Sequence, residues 1–296
     1  MCGRYTLAHS TEEIIDRFGL KQLKLPITAR YNIAPSQLVP IIIANQRANP
    51  NYGAAAGSSG VFDDGYLIEA ARWGFVPSWS RDLAKTPPMI NARAESASEK
   101  PTFRTAFRAR RCIIPADSFY EWQGEGKSRK PWRFHLKGEE LFGFAGLFED
   151  WSSTDGDEIR TCAILTVGAN ALMQQFHDRM PVILPRQLES RWLDPTNKDV
   201  ASLEALLRPY PADLMVLHRV STAVNGTKLD GPELVRPVDP AAEAAAEAAQ
   251  REEARAAKEP KAKAPKSDKP RARAIAKPKE SPGQLSLFNM TDTNNS

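Results

Sequence analysis

The sequence lacks any apolar run long enough to cross a bilayer, and no secretory signal precedes its first cysteine. A membrane-bound or secreted protein is therefore not expected; the expected location is the cytoplasm, with no membrane partner. Cysteine is scarce: Cys2, Cys112 and Cys162 are the whole set, odd in number and without a CxxC pair. That excludes a disulfide framework and reads as free thiols in a reducing compartment. No metal site and no cofactor are expected. A strong excess of charge is also missing, since 40 Lys and Arg against 36 Asp and Glu leave a formal +4. Such a balance permits a nucleic-acid partner without demanding one. After Val238 large apolar side chains almost disappear, and Ala, Glu, Lys and Pro take over. A segment of that composition cannot bury enough surface to offset its chain entropy. One globular domain over residues 2–238 is expected, followed by a disordered tail over 239–296.

What is present inside the domain is mostly strand-like. Ser10 and Glu13 have capping-box spacing ahead of Ile14, Ile15 and Phe18, which predicts a short helix from Thr11. Val39–Ala44 is a β-branched run, and Leu67–Trp73, Trp132–Leu136, Leu141–Phe148, Thr161–Val167 and Met215–Val220 also read as strands. Cys112–Ile114 reads as a short strand that stops at Pro115. Gly124–Lys130 is a plausible hairpin connection. Asn170–Phe176, Arg186–Leu193 and Val200–Leu207 look helical, and Asn49–Gly65 reads as an inserted loop. The fold class expected is α+β: a mostly antiparallel, barrel-like β-sheet with flanking helices.

The chain opens Met1-Cys2-Gly3-Arg4-Tyr5. Aminopeptidases remove Met before small residues, and the product would carry an α-amine and a thiol on one residue. Their ordinary pKa values, about 7.7–8.0 and about 8.5, leave reactive fractions of both at neutral pH. Alone, Met-Cys is unremarkable. It is followed, in order, by Arg30-Tyr31-Asn32-Ile33-Ala34-Pro35, Arg72-Trp73-Gly74-Phe75-Val76-Pro77-Ser78-Trp79, Ile90-Asn91-Ala92-Arg93-Ala94-Glu95, Arg111-Cys112-Ile113-Ile114-Pro115-Ala116-Asp117-Ser118-Phe119-Tyr120-Glu121-Trp122, His177-Asp178-Arg179-Met180-Pro181 and Val220-Ser221. In this order the motifs resemble the SOS-response-associated peptidase family, the abasic-site processing proteins, over residues 2–238.

The resemblance implies a DNA-damage function. An abasic deoxyribose in single-stranded DNA opens to an aldehyde, the Cys2 amine forms a Schiff base, and the Cys2 thiol closes a thiazolidine. Both nucleophiles belong to one residue, so ring closure is intramolecular. Glu121 is implied as the acid that protonates the sugar oxygen, with an aromatic setting expected to favour its protonated form. His177 is implied as a proton shuttle and Asn91 as an orienting amide that donates and accepts. Arg4, Arg93 and Arg179 are implied as clamps on flanking phosphates, although Arg4 or Arg179 could instead pair with a structural carboxylate. Pro35 and Trp79 are implied as wedge or stacking elements, while Trp73 and Trp122 suit the core or a pocket wall. Arg104, Arg108, Arg110 and Arg111 form a further basic stretch that ordinarily would be only a solvated face.

In the tail, Lys258–Lys279 is basic, opposed only by Glu259 and Asp268. Beyond it, Gln284-Leu285-Ser286-Leu287-Phe288 closely resembles the pentapeptide that docks on the bacterial sliding clamp. Leu285, Leu287 and Phe288 would plug a pocket while Gln284 would fix orientation, with Ser286 between them, and the linker would supply reach to replication forks in the nucleoid. Two other readings stay open at this point. Cys2 and His177 could form the pair of a thiol peptidase, or the chain could be a non-enzymatic adaptor between clamp and single-stranded DNA.

Overall fold

The computed structural model describes residues 2–239 apart from 21–26, 46–64, 82–85, 125, 127–128, 139 and 154–155, and beyond them only 241, 242, 245, 248 and 249. The predicted 49–65 insertion, Gly65 excepted, and the clamp-like pentapeptide therefore lie outside the described residues. The elements in chain order are β1 (Tyr5–Leu7), α1 (Thr11–Phe18), β2 (Arg30–Ile33), β3 (Leu38–Ala44), β4 (Tyr66–Trp73), β5 (Asn91–Arg93), α2 (Ala94–Ala97), α3 (Arg104–Ala109), β6 (Arg111–Ala116), β7 (Ser118–Gln123), β8 (Lys130–Leu136), β9 (Phe142–Ser152), β10 (Glu158–Gly168), β11 (Arg179–Pro181), β12 (Ile183–Leu184), α4 (Arg186–Leu193), α5 (Val200–Glu204) and β13 (Met215–Arg219). Short 3-10 turns fill several connections.

The α+β expectation holds, and the barrel is closed. Strands β4, β3, β6 and β9 follow one another with β10 joining β9 back to β4. Four of these five contacts are antiparallel, but β10 runs parallel to β4 at Thr161–Arg72 and Cys162–Trp73, so the barrel is mixed. Closure removes the exposed edges that an open sheet would present. The barrel interior takes Cys112, Ile114, Cys162 and Ile164, all essentially inaccessible to water. Gly146 lies on this wall: a Cβ there would sit 2.8 Å from Cys112 Sγ and 3.2 Å from Ala163 O, so only glycine lets the thiol in.

A second sheet, ordered β13-β8-β7-β1-β2, leans on the barrel. The crossing is made within one segment: β6 belongs to the barrel, and after Asp117 the chain continues as β7 in the second sheet. Asp117 is the joint. Its carboxylate accepts from the Thr6 hydroxyl and from the Ala8 amide, and its own amide donates to Thr6 O at 3.0 Å. Thr6 also bonds Ser118, whose hydroxyl accepts from Arg133 Nε at 2.8 Å. These bonds hold β1 as a central strand, so the start of the chain is locked in the interior.

Two local expectations change. Helix α1 starts at Thr11 with the reciprocal Ser10–Glu13 capping box in place, and ends on Gly19 in the left-handed region at φ 65°. The strand at Cys112, by contrast, does not stop at Pro115: β6 runs on to Ala116, with Pro115 opposite Gly143. On its other side β6 meets β3 only at Ile113, so no ladder partner there needs an N–H from Pro115. Asn170–Phe176 also shortens, to a 3-10 turn over Met173–Gln175.

Arg111 ends the basic stretch as an internal organiser. It is buried and donates to the carbonyls of Trp192 at 2.7 Å, Phe107 at 3.0 Å and Arg108 at 2.8 Å, and also to those of Asp194 and Asn197. Arg110 pairs with Glu149 at 2.6 Å. Of the four arginines that looked contiguous, only Arg104 and Arg108 keep the solvated character expected of a surface run.

Burial pushes the thiols of Cys2, Cys112 and Cys162 and the phenols of Tyr5 and Tyr120 upward. The folded state therefore holds these protons more tightly than the unfolded chain. Their contribution to stability is complete below the ordinary thiol value of 9.0 and is lost as pH rises beyond it. The unfolding temperature is expected to fall between about pH 8 and about pH 10.5, and Cys112→Ala should flatten part of that fall in a thermal melt.

Candidate functional site

Cys2 is completely buried, with Sγ 4.0 Å from Arg4 O. Its carbonyl accepts from Asn91 Nδ2 at 2.9 Å. Asn91 opens β5, which lies parallel to β10 at Ile164, so the barrel's parallel seam brings this amide to the start of the chain. The other end of the amide, Asn91 Oδ1, is buried with no hydrogen-bond partner among the described residues. An amide that is half satisfied and points at a backbone terminus is prepared to accept one more donor.

Glu121 lies on β7, the strand paired with β1, and is 5% exposed. Burial pushes the Cys2 thiol far above its ordinary range, and the nearby charge of Glu121 pushes it further. Across the strands, Glu121 faces Trp132 on β8. The Trp132 ring meets Phe176 edge-on at 5.4 Å, and Phe176 precedes His177. Cys2, Asn91 and Glu121 thus come together directly, whereas the polar contacts of His177 are to Arg179 and Asp178.

Two groups compete for His177 Nδ1: the Arg179 amide donates to it at 2.9 Å, and the Asp178 carboxylate stands 2.6 Å away. The amide is fixed by the chain, whereas the Asp178 side chain is mostly in water and can turn away. With Nδ1 accepting, the neutral ring carries its proton on Nε2. Among the described residues, no group of three or more His, Cys, Asp or Glu side chains could hold a metal ion, and no helix is long and apolar enough to cross a membrane.

The arginines separate into two kinds. Arg4 Nη1 donates to Asn32 Oδ1 at 2.5 Å and to Val224 O at 2.8 Å, with its guanidinium 5.9 Å from the Trp122 ring centre. Arg179 makes a two-pronged pair with Glu95, both bonds 2.8 Å, and also reaches Thr166. These bonds hold the Glu95 carboxyl below the usual carboxylate range. Arg179 thus pairs with a carboxylate, the alternative that the sequence left open, whereas Arg4 is held through Nη1 by an amide oxygen and backbone carbonyls, and its Nε is buried without a partner among the described residues. Arg93 is different: it caps α2 and its side chain is exposed.

The turn at Pro35 docks on the end of β4, where Ser36 N donates to Trp73 O at 2.7 Å, with Ser36 at φ 70°. From Trp73 the chain turns at Gly74, at φ 140°, where a Cβ would come within 2.6 Å of Pro88 Cβ. The loop then presents Trp79 with 67% of its surface in water. Leu38, 65% exposed, stands beside the same turn. Sequence reasoning missed Leu38, because it reads as the first residue of an apolar strand. It also missed Trp132 and Glu95, which acquire their neighbours only across strands.

The family model described as SOS response associated peptidase (SRAP) matches residues 1–227. Abasic site processing protein YoqW of Bacillus subtilis (strain 168) is 44% identical over 239 residues, 79% of this chain and 99% of that protein. Abasic site processing protein HMCES of Mus musculus is 29% identical over 282 residues, 81% of this chain and 76% of that protein. Among solved structures, a Bacteroides thetaiotaomicron protein shares the fold at TM-score 0.68 and 24% identity, over 80% of this chain and 100% of that one. A Bordetella bronchiseptica protein aligns at TM-score 0.60 and 27% identity, over 74% and 100%.

Proposed function

The chain belongs to the SOS response associated peptidase family, and from that premise we propose that it processes abasic sites in single-stranded DNA by bonding them covalently to Cys2. The observation that carries this reading is the Asn91–Cys2 contact: a buried amide holds the Cys2 carbonyl while its own oxygen has no partner among the described residues, which leaves an acceptor for one further donor. Relatives named abasic site processing proteins over most of this chain's length support the substrate class.

In the proposed reaction Met1 is removed and the Cys2 α-amine becomes free. Glu121, as a carboxylate, takes the proton of the anomeric hydroxyl and delivers a proton to the deoxyribose ring oxygen as the sugar opens to its aldehyde. The amine adds to the carbonyl and water leaves, giving the Schiff base. The Cys2 sulfur then bonds the imine carbon, and the C=N electron pair moves to nitrogen, which takes up a proton. No atom is lost in ring closure. Asn91 Oδ1 orients the amine, and the Nε2 proton of His177 serves the sugar hydroxyl. The test is a denaturing gel of protein with abasic single-stranded DNA: a heat-resistant shifted band supports the reading, and its absence from fully Met1-processed protein refutes it. A thiol-peptidase pair has weaker support, because among the described residues no hydrogen bond joins Cys2 to His177.

For the DNA path, Arg93 is assigned to a flanking phosphate, with Trp79, Pro35 and Leu38 as the apolar surface for bases. Arg93→Ala should weaken single-strand binding and reduce its salt slope by about 1. Arg179→Ala should instead lower the unfolding temperature, since Arg179 would reach phosphate only by leaving Glu95. Titration at several salt concentrations, beside a melt, separates the two.

The tail pentapeptide is assigned to the sliding clamp, on its residue pattern and the basic linker before it. A peptide spanning Gln284–Phe288 should bind purified clamp where a known clamp peptide binds. Loss of binding when Leu287 and Phe288 become Ala would support the assignment, and no binding by the intact peptide would end it.

A further inference from the structure

We infer that Asp178 is a positioning residue for His177: its carboxylate turns the imidazole from a fixed hydrogen-bond donor into a carrier of protons. The inference rests on the reading above that His177 serves the sugar, but its first test does not need DNA. His177 Nδ1 has a donor and an acceptor on it at once. The Arg179 amide points its N–H at this atom from 2.9 Å, and an Asp178 carboxylate oxygen stands 2.6 Å away. A ring nitrogen holds either a lone pair or a proton, so it can serve only one of these partners at a time. A lone pair facing a carboxylate at that distance is repelled, whereas a proton between them makes a charge-assisted bond. The two contacts therefore belong to two states of the ring.

The surroundings fix one partner and free the other. The His177 amide donates to Met173 O at 3.0 Å, and the Asp178 carbonyl accepts from Ala169 N at 2.9 Å. Arg179 begins β11 opposite Gly168, and its guanidinium is pinned by Glu95 and Thr166, so its amide cannot follow the ring. On the other side Phe176 is set edge-on against Trp132 and Phe134. The Asp178 side chain is 84% exposed and is free to approach or leave. The other charged groups on elements around this segment are Arg93 on β5, Glu95 on α2, Glu121 on β7 and Arg219 on β13.

With the Arg179 amide on Nδ1, the neutral ring has its proton on Nε2 and is a poor acid, because losing that proton would leave an anion. With Asp178 on Nδ1, the ring can be an imidazolium. It then gives its Nε2 proton to a sugar oxygen, the electron pair stays on Nε2, and the neutral ring keeps its Nδ1 proton on Asp178. Nε2 is now a base for the proton released by the Cys2 sulfur as the C–S bond forms. Asp178 keeps its negative charge throughout.

The experiment uses the mature full-length chain, isotope-labelled at its histidine nitrogens. Long-range proton–nitrogen spectra at alkaline pH report the share of each neutral tautomer, and His177→Ala identifies the signal. Asp178→Ala should cut the Nδ1–H share of His177 about ten-fold, the loss expected for one hydrogen bond to a charged group. The unfolding temperature should not move, since the removed side chain lies mostly in water. In single-turnover adduct formation at saturating abasic single-stranded DNA, Asp178→Ala should be about ten-fold slower. Added to His177→Ala, it should cause no further loss, because it acts through the ring. An unchanged tautomer share in Asp178→Ala would overturn the inference, as would an equal slowing with and without His177. If the share falls but the wild type bonds no abasic DNA, the proposed function fails and the role of Asp178 on the ring stands.

Discussion

Cys2→Ala is expected to lower the yield of heat-stable adduct with abasic single-stranded DNA by at least about a thousand-fold, because an imine without an adjacent thiol has no intramolecular route to a ring. The variant still matures to a free α-amine, so the Schiff base itself should form and be trapped by borohydride. Retaining Met1, or placing another residue ahead of Cys2, turns the Cys2 nitrogen into an amide and moves the free amine off the thiol-bearing residue, and should abolish the stable product. The pair of results is diagnostic. A peptidase needs the thiol without a free amine, and an adaptor needs neither. Undiminished stable adduct from Cys2→Ala protein, read on a denaturing gel after heating, would refute the proposed chemistry. The completely buried position of Cys2 adds a physical expectation: the sugar must be drawn into a site shielded from water, where the new ring is protected from hydrolysis.

Glu121→Gln is expected to slow adduct formation by about 10²–10⁴-fold, the range typical of a lost general acid. The thiol should respond in the opposite direction. The Glu121 charge raises Cys2, so removing it brings the thiol down toward its ordinary range and makes Cys2 more readily alkylated near neutral pH. A variant with a more reactive thiol and a slower reaction with the lesion isolates proton donation to the sugar as the role of this residue. If adduct formation instead rises along with alkylation, Glu121 serves only to restrain the thiol. A thermal melt of the variant beside the wild type separates loss of the proton donor from loss of the fold.

The prediction that separates Arg93 from Arg179 shows how far residue type alone can lead. All three motif arginines suit a phosphate by chemistry. Arg179 is claimed by Glu95, a residue 84 positions away in sequence, and Arg4 by carbonyls more than 200 positions away. No local pattern announces such partners. Leu38 shows the converse: it adjoins the β-branched run at Val39–Ala44, yet it ends in water because β3 starts on the turn that docks at Trp73.

What the sequence determined by itself is therefore whatever forms within a few residues or within one residue. The capping box of α1, the β-branched strands and the hairpin between β7 and β8 arise from local hydrogen bonding and side-chain alternation, and the amine-and-thiol chemistry of a mature Cys2 belongs to a single side chain and its own nitrogen. Only the tertiary structure decided that β10 closes the barrel in parallel with β4, that Asn91 thereby reaches the Cys2 carbonyl, and which guanidinium groups stay unclaimed. Those outcomes depend on strand pairing across long loops. Its energy comes from burying surfaces that are far apart in the chain, and such complementarity cannot be read from any single stretch of it.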